Sequence, residues 1–199
     1  MPKGFTEREK EIIRNKLLEK GKEFLTTYGV RKTGVEDLAR AAGISKGAFY
    51  IFYDSKEELF FEIFEQIEAE IKQKVIADIF NPAKPPKESF RECMNNLILS
   101  MDENPMLSIL INMEDMEYLI RKLPPERVQK HFDSDDSSVD EMYTAFKESG
   151  FLKDHDSKVV SGILRALFFM VFHKNDIGED VYEKVIKAYV DMITDYLIK

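Results

Sequence analysis

Residues 33–59 read TGVEDLARAAGISKGAFYIFYDSKEEL, and the spacing within them decides the fold. They predict a short amphipathic helix, a glycine turn, a second short helix and the start of a third. This is the pattern of a helix-turn-helix, which places its second helix in the major groove of DNA. Thr33 is expected as N-cap of the first helix, with Glu36 three residues on completing a capping box. Val35, Leu38, Ala39 and Ala42 follow the i, i+3, i+4, i+7 spacing of one buried face. Gly43 can take a positive φ and reverse the chain tightly, and Ile44 should plug the angle between the helices.

Ser45 is placed to cap the second helix. A rotation of about 100° per residue sends Ala48, Phe49 and Phe52 toward the core. Lys46, Gly47 and Tyr50 fall on the opposite side, with Ile51 at its edge. A cation, a bare backbone position and a phenol make a groove-facing surface. Ser55 and Glu58 are spaced as another capping box, and Lys56 enters the first turn of the following helix, beside N–H groups that suit a phosphate. A helical hairpin that only packs is the competing reading. The agreement of spacing, glycine and outward face favours DNA.

At this point the residues resemble the N-terminal domain of the tetracycline-repressor (TetR) family. The matching pattern is Thr33, AlaArgAlaAlaGly at 39–43, Ser45, Gly47, Phe49-Tyr50 and SerLysGluGluLeu at 55–59. The resemblance covers residues 6–60 and beyond that is one of length and helical layout only. It implies a homodimeric, all-helical transcription regulator with three N-terminal helices for DNA and about six more for ligand and dimer contacts. Carried over position by position, Thr33, Ser45, Lys46, Gly47, Tyr50 and Lys56 resemble the family's DNA-contacting positions. Ile51 stands where the family often has an aromatic or polar residue, and Phe52-Tyr53 inverts a common order.

Charge distribution agrees with that reading. The net charge of −8 looks wrong for a nucleic-acid binder, yet residues 1–56 hold 12 Lys/Arg against 8 Asp/Glu. Residues 57–199 hold 17 against 29. A basic head on an acidic body suits a protein that touches DNA at one end. No apolar run is long enough to cross a bilayer, and the N-terminus lacks a signal peptide's apolar stretch, so a cytoplasmic protein is expected. A single Cys93 excludes an internal disulfide framework and reads as a small buried hydrophobe.

The first helix should run from Thr6, with Glu9 completing its capping box, to Tyr28, with Gly29 as stop signal and Ile13, Leu17, Phe24 and Tyr28 on one face. The fourth should start near Lys56 and reach Phe80. ProAlaLysProPro at 82–86 is the clearest linker. Further helices are expected at about 87–103, 105–122, 125–149, 156–174 and 179–198, with a possible break in the acidic stretch 133–138. The expected domains are 1–54 for DNA and 55–199 for effector and dimer contacts.

Residues 159–172, VVSGILRALFFMVF, are apolar nearly all round and too short to span a bilayer, so they read as a helix buried on several sides. Ser161, Gly162 and Ala166 permit close helix approach. Tyr182, Val185, Ile186, Tyr189, Ile193 and Tyr196 repeat at three or four. The family resemblance implies a four-helix dimer interface here, with Phe169, Val185, Tyr189 and Ile193 as its candidates; an internal core is the alternative. A two-fold operator needs a two-fold protein.

Eight of nine methionines lie from Met94 onward, and flexible Met and aromatic walls suit a pocket for apolar molecules. Met94, Met101, Met113 and Phe169 are the candidate effector residues, with the site expected between the linker and the 156–174 helix. Glu114, Asp115 and Glu117 could select a cation but are expected in solvent, with Glu117 pairing Arg121. His131, Asp133, Asp135 and Asp136 fail as a calcium loop, since Ser138 replaces the glycine and Thr144 the bidentate Glu. No catalytic motif or cofactor loop is found, and no metal is expected. The reading is an all-α, ligand-responsive repressor acting on a palindromic operator. Its rivals are a binding module without effector, and an enzyme or carrier with an incidental hairpin.

Overall fold

The computed structural model describes residues 5–81, 83–99, 101, 113–131, 143–144 and 147–199, without the side chains of Met113, Phe168 and Phe172. Its elements are helical: α1 (Glu7–Lys32), α2 (Val35–Ala41), α3 (Lys46–Phe49), α4 (Lys56–Ile79), α5 (Pro86–Leu99), α6 (Met113–Lys122), α7 (Ser157–Phe169), α8 (Lys174–Ile177) and α9 (Tyr182–Leu197). A 3-10 turn, Met170–His173, joins α7 to α8, and residues 125–131 are also helical. Among the described residues the one extended pairing is an isolated antiparallel bridge, Leu152 to Ile198.

Packing groups the chain into two units, Met1–Ala69 with Asn112–Pro125, and Glu70–Ile111 with Glu126–Lys199. The division therefore falls inside α4, not at residue 54. The reason is that α4 serves two cores. Leu59, Phe60, Ile63 and Ile67 of its first half are buried, while Ile71 and Val75 of its second half pack on the core of the second unit. A boundary drawn where a motif ends cannot anticipate a helix whose halves belong to different cores.

In the first unit, the Thr6–Glu9 capping box forms in both directions, with Glu9 N–H donating to Thr6 Oγ1 at 3.3 Å and Thr6 N–H to Glu9 Oε2 at 2.8 Å. Gly29, at φ 74°, interrupts the helix as expected, but the chain takes one more turn to Lys32. The buried stripe of α1 is Leu17, Leu18, Gly21 and Leu25, while Tyr28 is exposed with its ring 5.5 Å from Phe24. In α2, Leu38, Ala39 and Ala42 are buried as their spacing predicts. Gly43 turns the chain at φ 78°, a conformation that costs glycine nothing.

The expected Thr33–Glu36 capping box is absent. The N-cap of α2 is Gly34, with no side-chain bond. Thr33 instead closes α1: it is that helix's C-cap, and its hydroxyl donates to the Gly29 carbonyl at 2.9 Å. Only two residues separate α1 from α2, and the orphan carbonyls at the end of α1 compete for the same hydroxyl.

In the second unit α5, α7 and α9 enclose Phe90, Met94, Ile98, Val160, Leu167, Ile186 and Val190. Cys93 is buried beside them, and burial pushes its thiol up to about 12. Arg91–Asp191 and Lys87–Asp195 pairs tie α5 to α9 at the rim. The chain end is anchored by Lys153 N–H on the Leu197 carbonyl (2.8 Å) and Lys199 N–H on the Phe151 carbonyl (2.9 Å).

The 156–174 segment departs from expectation. It is α-helical from Ser157 to Phe169, then tightens to the 3-10 turn Met170–His173 before α8, and its inward residues are Val160, Leu167 and Val171. Val159 and Phe169 face outward. Of the helix expected at 105–122 the described part is α6, of that expected at 87–103 it is α5, and the acidic stretch 133–138 lies outside the described residues.

Candidate nucleic-acid interface

The site begins with the cap of α3. Ser45 Oγ accepts the Ala48 N–H at 3.1 Å, satisfying an orphan donor at the helix start. Phe49 is fully buried and anchors the helix from beneath. After Phe49 the backbone tightens: Ile51 N–H bonds the Ala48 carbonyl at 3.1 Å and Phe52 N–H the Phe49 carbonyl at 2.9 Å. These i to i−3 bonds are the 3-10 pattern common at helix ends.

Below this turn the scaffold is polar and pinned. Tyr53 is buried, with its hydroxyl donating to Glu62 Oε2 at 3.1 Å. Burial, then the charge of Glu62, raises the Tyr53 phenol above its ordinary value. Arg14 donates to the same carboxylate at 2.6 Å and lies 5.8 Å over the Tyr53 ring. The Phe52 ring meets Phe5 at 6.0 Å. The Phe52-Tyr53 inversion noted in the sequence thus has a structural use. Its clue was the Tyr itself, since a buried phenol needs an acceptor.

What is left outward is Ser45, Lys46, Gly47, Tyr50 and Ile51, all exposed. A Cβ added at Gly47 would meet nothing nearer than Ser45 Oγ at 4.0 Å, so this backbone is open to whatever approaches. The structure thus brings four of the six expected contact residues to one surface.

The other two have different roles. Thr33 is only 2% exposed and bonded as described above. Lys56 Nζ donates to the Val30 carbonyl at 2.9 Å and the Thr33 carbonyl at 2.8 Å, with Arg31 O at 3.4 Å. An ammonium has three donors, and here they cap the C-terminal end of α1, where a cation is favoured. The sequence signal for a phosphate contact was its place in the first turn of α4. Tertiary packing turned that side chain back onto α1.

Helix α6 also joins this unit, which sequence reading missed. Tyr118 donates to Glu57 Oε1 at 2.9 Å, and that bond chiefly raises its phenol above the ordinary value. Arg31 lies 5.5 Å over the Tyr118 ring, bonds the Glu114 carbonyl at 3.1 Å and pairs with Asp115 at 3.9 Å. Asp115 therefore faces a protein cation, and Arg121 reaches the Glu117 carbonyl rather than its carboxylate.

In the second unit, Met94 and Met101 are buried in the core, while Phe169, expected at both a ligand wall and a dimer face, is 52% exposed. The Met113 side chain lies outside the description. Ile193 is buried and Val185 partly so, whereas Tyr189 (46%), Met192 (58%) and Tyr196 face outward. The helical repeat of α9 thus separates an inner stripe from an outer one. Ile163, Ala166, Met170, Tyr189, Met192 and Tyr196 line an apolar groove of about 460 Å³ between α7 and α9.

Residues 17–63 match the family described as bacterial regulatory proteins, tetR family. The chain is 30% identical over 158 residues to the uncharacterized HTH-type transcriptional regulator YhgD of Bacillus subtilis (strain 168), covering 79% of this chain and 81% of that protein. Among solved structures, a TetR-family transcriptional regulator from Pectobacterium atrosepticum is similar at TM-score 0.70 and 22% identity, over 98% of this chain and 99% of that one. SmeT, the repressor of the Stenotrophomonas maltophilia multidrug efflux pump SmeDEF, is similar at TM-score 0.61 and 20% identity, over 94% of this chain and 90% of that one. At those identities the two structures share the fold.

Proposed function

The chain belongs to the TetR family of helix-turn-helix transcriptional regulators, and we propose that it is a homodimeric repressor, released from a palindromic operator by a small, largely apolar effector. The observation that carries the DNA contacts is the open face of Lys46, Gly47 and Tyr50 on a helix whose other side is buried. Lys46 and Tyr50 would engage the major groove, and Gly47 lets the backbone come close. Ser45, whose hydroxyl caps the helix, is exposed beside them.

The outer stripe of α7 and α9 supports the dimer. Val159, Phe169, Tyr189, Met192 and Tyr196 are large apolar side chains exposed on neighbouring helices, more than a lone soluble chain needs to show. A Cβ at Gly162 would meet nothing within 4 Å, which leaves room for a second helix. The four-helix interface follows if the partner presents the same stripe.

The effector would lie in the second unit near Met94 and Met101. Asn95 Oδ1 and Ser89 Oγ, both on α5, are buried without a hydrogen-bond partner among the described residues. Such atoms suit the few polar contacts that orient a ligand in an apolar site. Helix α4 contributes to both cores, so a change at its far end can reach the DNA-binding unit. SmeT's role as an efflux-pump repressor is in keeping with this reading. The cytoplasm is the proposed place of action; no helix among the described residues is long and apolar enough to cross a membrane.

Selection of bound duplexes from a random DNA pool tests the reading. It should return a two-fold sequence with half-sites about one helical turn, 34–36 Å, apart. An unselected pool would overturn it. For the effector, ligand affinity measured with and without operator should differ by the same factor, about 5–150-fold, that the ligand imposes on DNA binding. Equal affinities would remove the effector from the proposal.

A further inference from the structure

Ile51 is the most exposed of the large apolar side chains among the described residues, at 59%, ahead even of those on α7 and α9. It does not sit on a broad apolar face. Its neighbour Tyr50 is 49% exposed, and the other large exposed apolar residues of the first unit, Ile12 and Tyr28, belong to α1. Ile51 therefore projects beside Tyr50, in the turn two residues beyond the helix that carries Lys46 and Gly47.

Its direction is set by the residues around it. Phe49 and Tyr53 are buried on the inner side, Tyr53 is held by Glu62, and the Phe52 ring packs on Phe5. The Ile51 N–H is spent on the Ala48 carbonyl. With its flanks pinned inward, Ile51 has only the outside available. A β-branched side chain is also stiff at χ1, so it presents a fixed apolar shape instead of a mobile one.

The side chain of isoleucine can neither donate nor accept a hydrogen bond. In the major groove, donors and acceptors are common to all base pairs, but one base edge carries an apolar group, the C5-methyl of thymine. We propose that Ile51 is a specificity-determining residue that reads a thymine methyl in each operator half-site. The proposal rests on the recognition-helix assignment made above and adds to it a base identity. Lys46 and Tyr50 bring polar contacts to the same groove, whereas Ile51 brings only burial. The expected worth is that of one buried carbon group, about fourfold in affinity per half-site. Two half-sites bound by a dimer would give about 16-fold.

The experiment uses the full-length protein and the duplex it selects. Each thymine of that duplex is replaced in turn by deoxyuridine, which removes the methyl and keeps every hydrogen bond. Wild type should lose about fourfold at one thymine per half-site. Ile51→Ala, which changes both protomers, should bind the unsubstituted duplex about 16-fold more weakly and should be indifferent to deoxyuridine at that same position. Its melting temperature should match wild type because the side chain is largely in water. If Ile51→Ala binds too weakly to titrate, Ile51→Val supports the same comparison with a smaller coupling. The inference is overturned if no thymine is sensitive, or if the sensitive thymine stays equally so in the variant. If wild type selects no sequence at all, the DNA-binding reading fails, and this inference with it; if it selects one but ignores deoxyuridine, only this inference fails.

Discussion

Two surfaces of this protein expose large apolar side chains, and they do so differently. On the helix-turn-helix, Tyr50 and Ile51 emerge from a frame fixed by buried Phe49, the Tyr53–Glu62–Arg14 cluster and the Lys56 cap. On α7 and α9, Val159, Phe169, Tyr189, Met192 and Tyr196 are all exposed, and the last three line an apolar groove. The first surface offers a few rigid groups among polar neighbours, which suits reading base edges. The second offers area, which suits burial against a like surface. Exposure alone does not separate recognition from association. The surrounding frame does.

The comparison breaks most visibly where area is the currency. Phe169→Glu or Tyr189→Glu should place a charge in the proposed dimer contact and raise the dissociation constant at least about a hundredfold, near 3 kcal/mol. Because both side chains are about half exposed, the protomer itself should stay folded. Light scattering at micromolar concentration, with circular dichroism alongside, reads both. A dimer that survives either change would show that this stripe is not the interface.

On the frame, Lys56→Ala removes the charged donor from carbonyls at the end of α1, and should cost about 1.5–3 kcal/mol of stability. It should leave the salt dependence of DNA binding as in wild type, because the ammonium is turned inward. A melting curve unchanged by the substitution, together with a shallower salt slope, would restore Lys56 to phosphate binding. Lys46→Ala and Tyr50→Ala should do the reverse. Each should weaken specific binding by about 1–3 kcal/mol with no loss of thermal stability. Wild-type affinity in both would mean that another surface reads the operator.

The smallest effect is expected at Tyr118→Phe. Deleting the hydroxyl that bonds Glu57 should cost about 0.5–1.5 kcal/mol in a chemical denaturation titration of the first unit. No change in midpoint would make α6 a bystander to the DNA-binding frame.

The local features of the helix-turn-helix were legible in the residues because their causes are local. A capping hydroxyl three residues from its donor, a glycine at a positive φ and an apolar face at 3.6 spacing all act within a turn or two. Thus the caps at Thr6 and Ser45, the turn at Gly43 and the buried Leu38 and Phe49 were all readable. Thr33 and Lys56 misled for the same reason. Their sequence neighbours suggested a cap and a phosphate site, but both side chains serve the end of α1, which for Lys56 lies more than twenty residues away.

The amino-acid order by itself determined the helical class, the helix-turn-helix, the family and the sign of charge at each end of the chain. Tertiary structure alone decided that α4 serves two cores, that α6 clasps Arg31 and Glu57, and that α9 parts its apolar repeat into an inner and an outer stripe. The physical reason is reach. Helix periodicity and capping are set by neighbours along the chain, whereas which apolar stripe is covered, and which cation finds a carbonyl, depend on segments brought close only by packing.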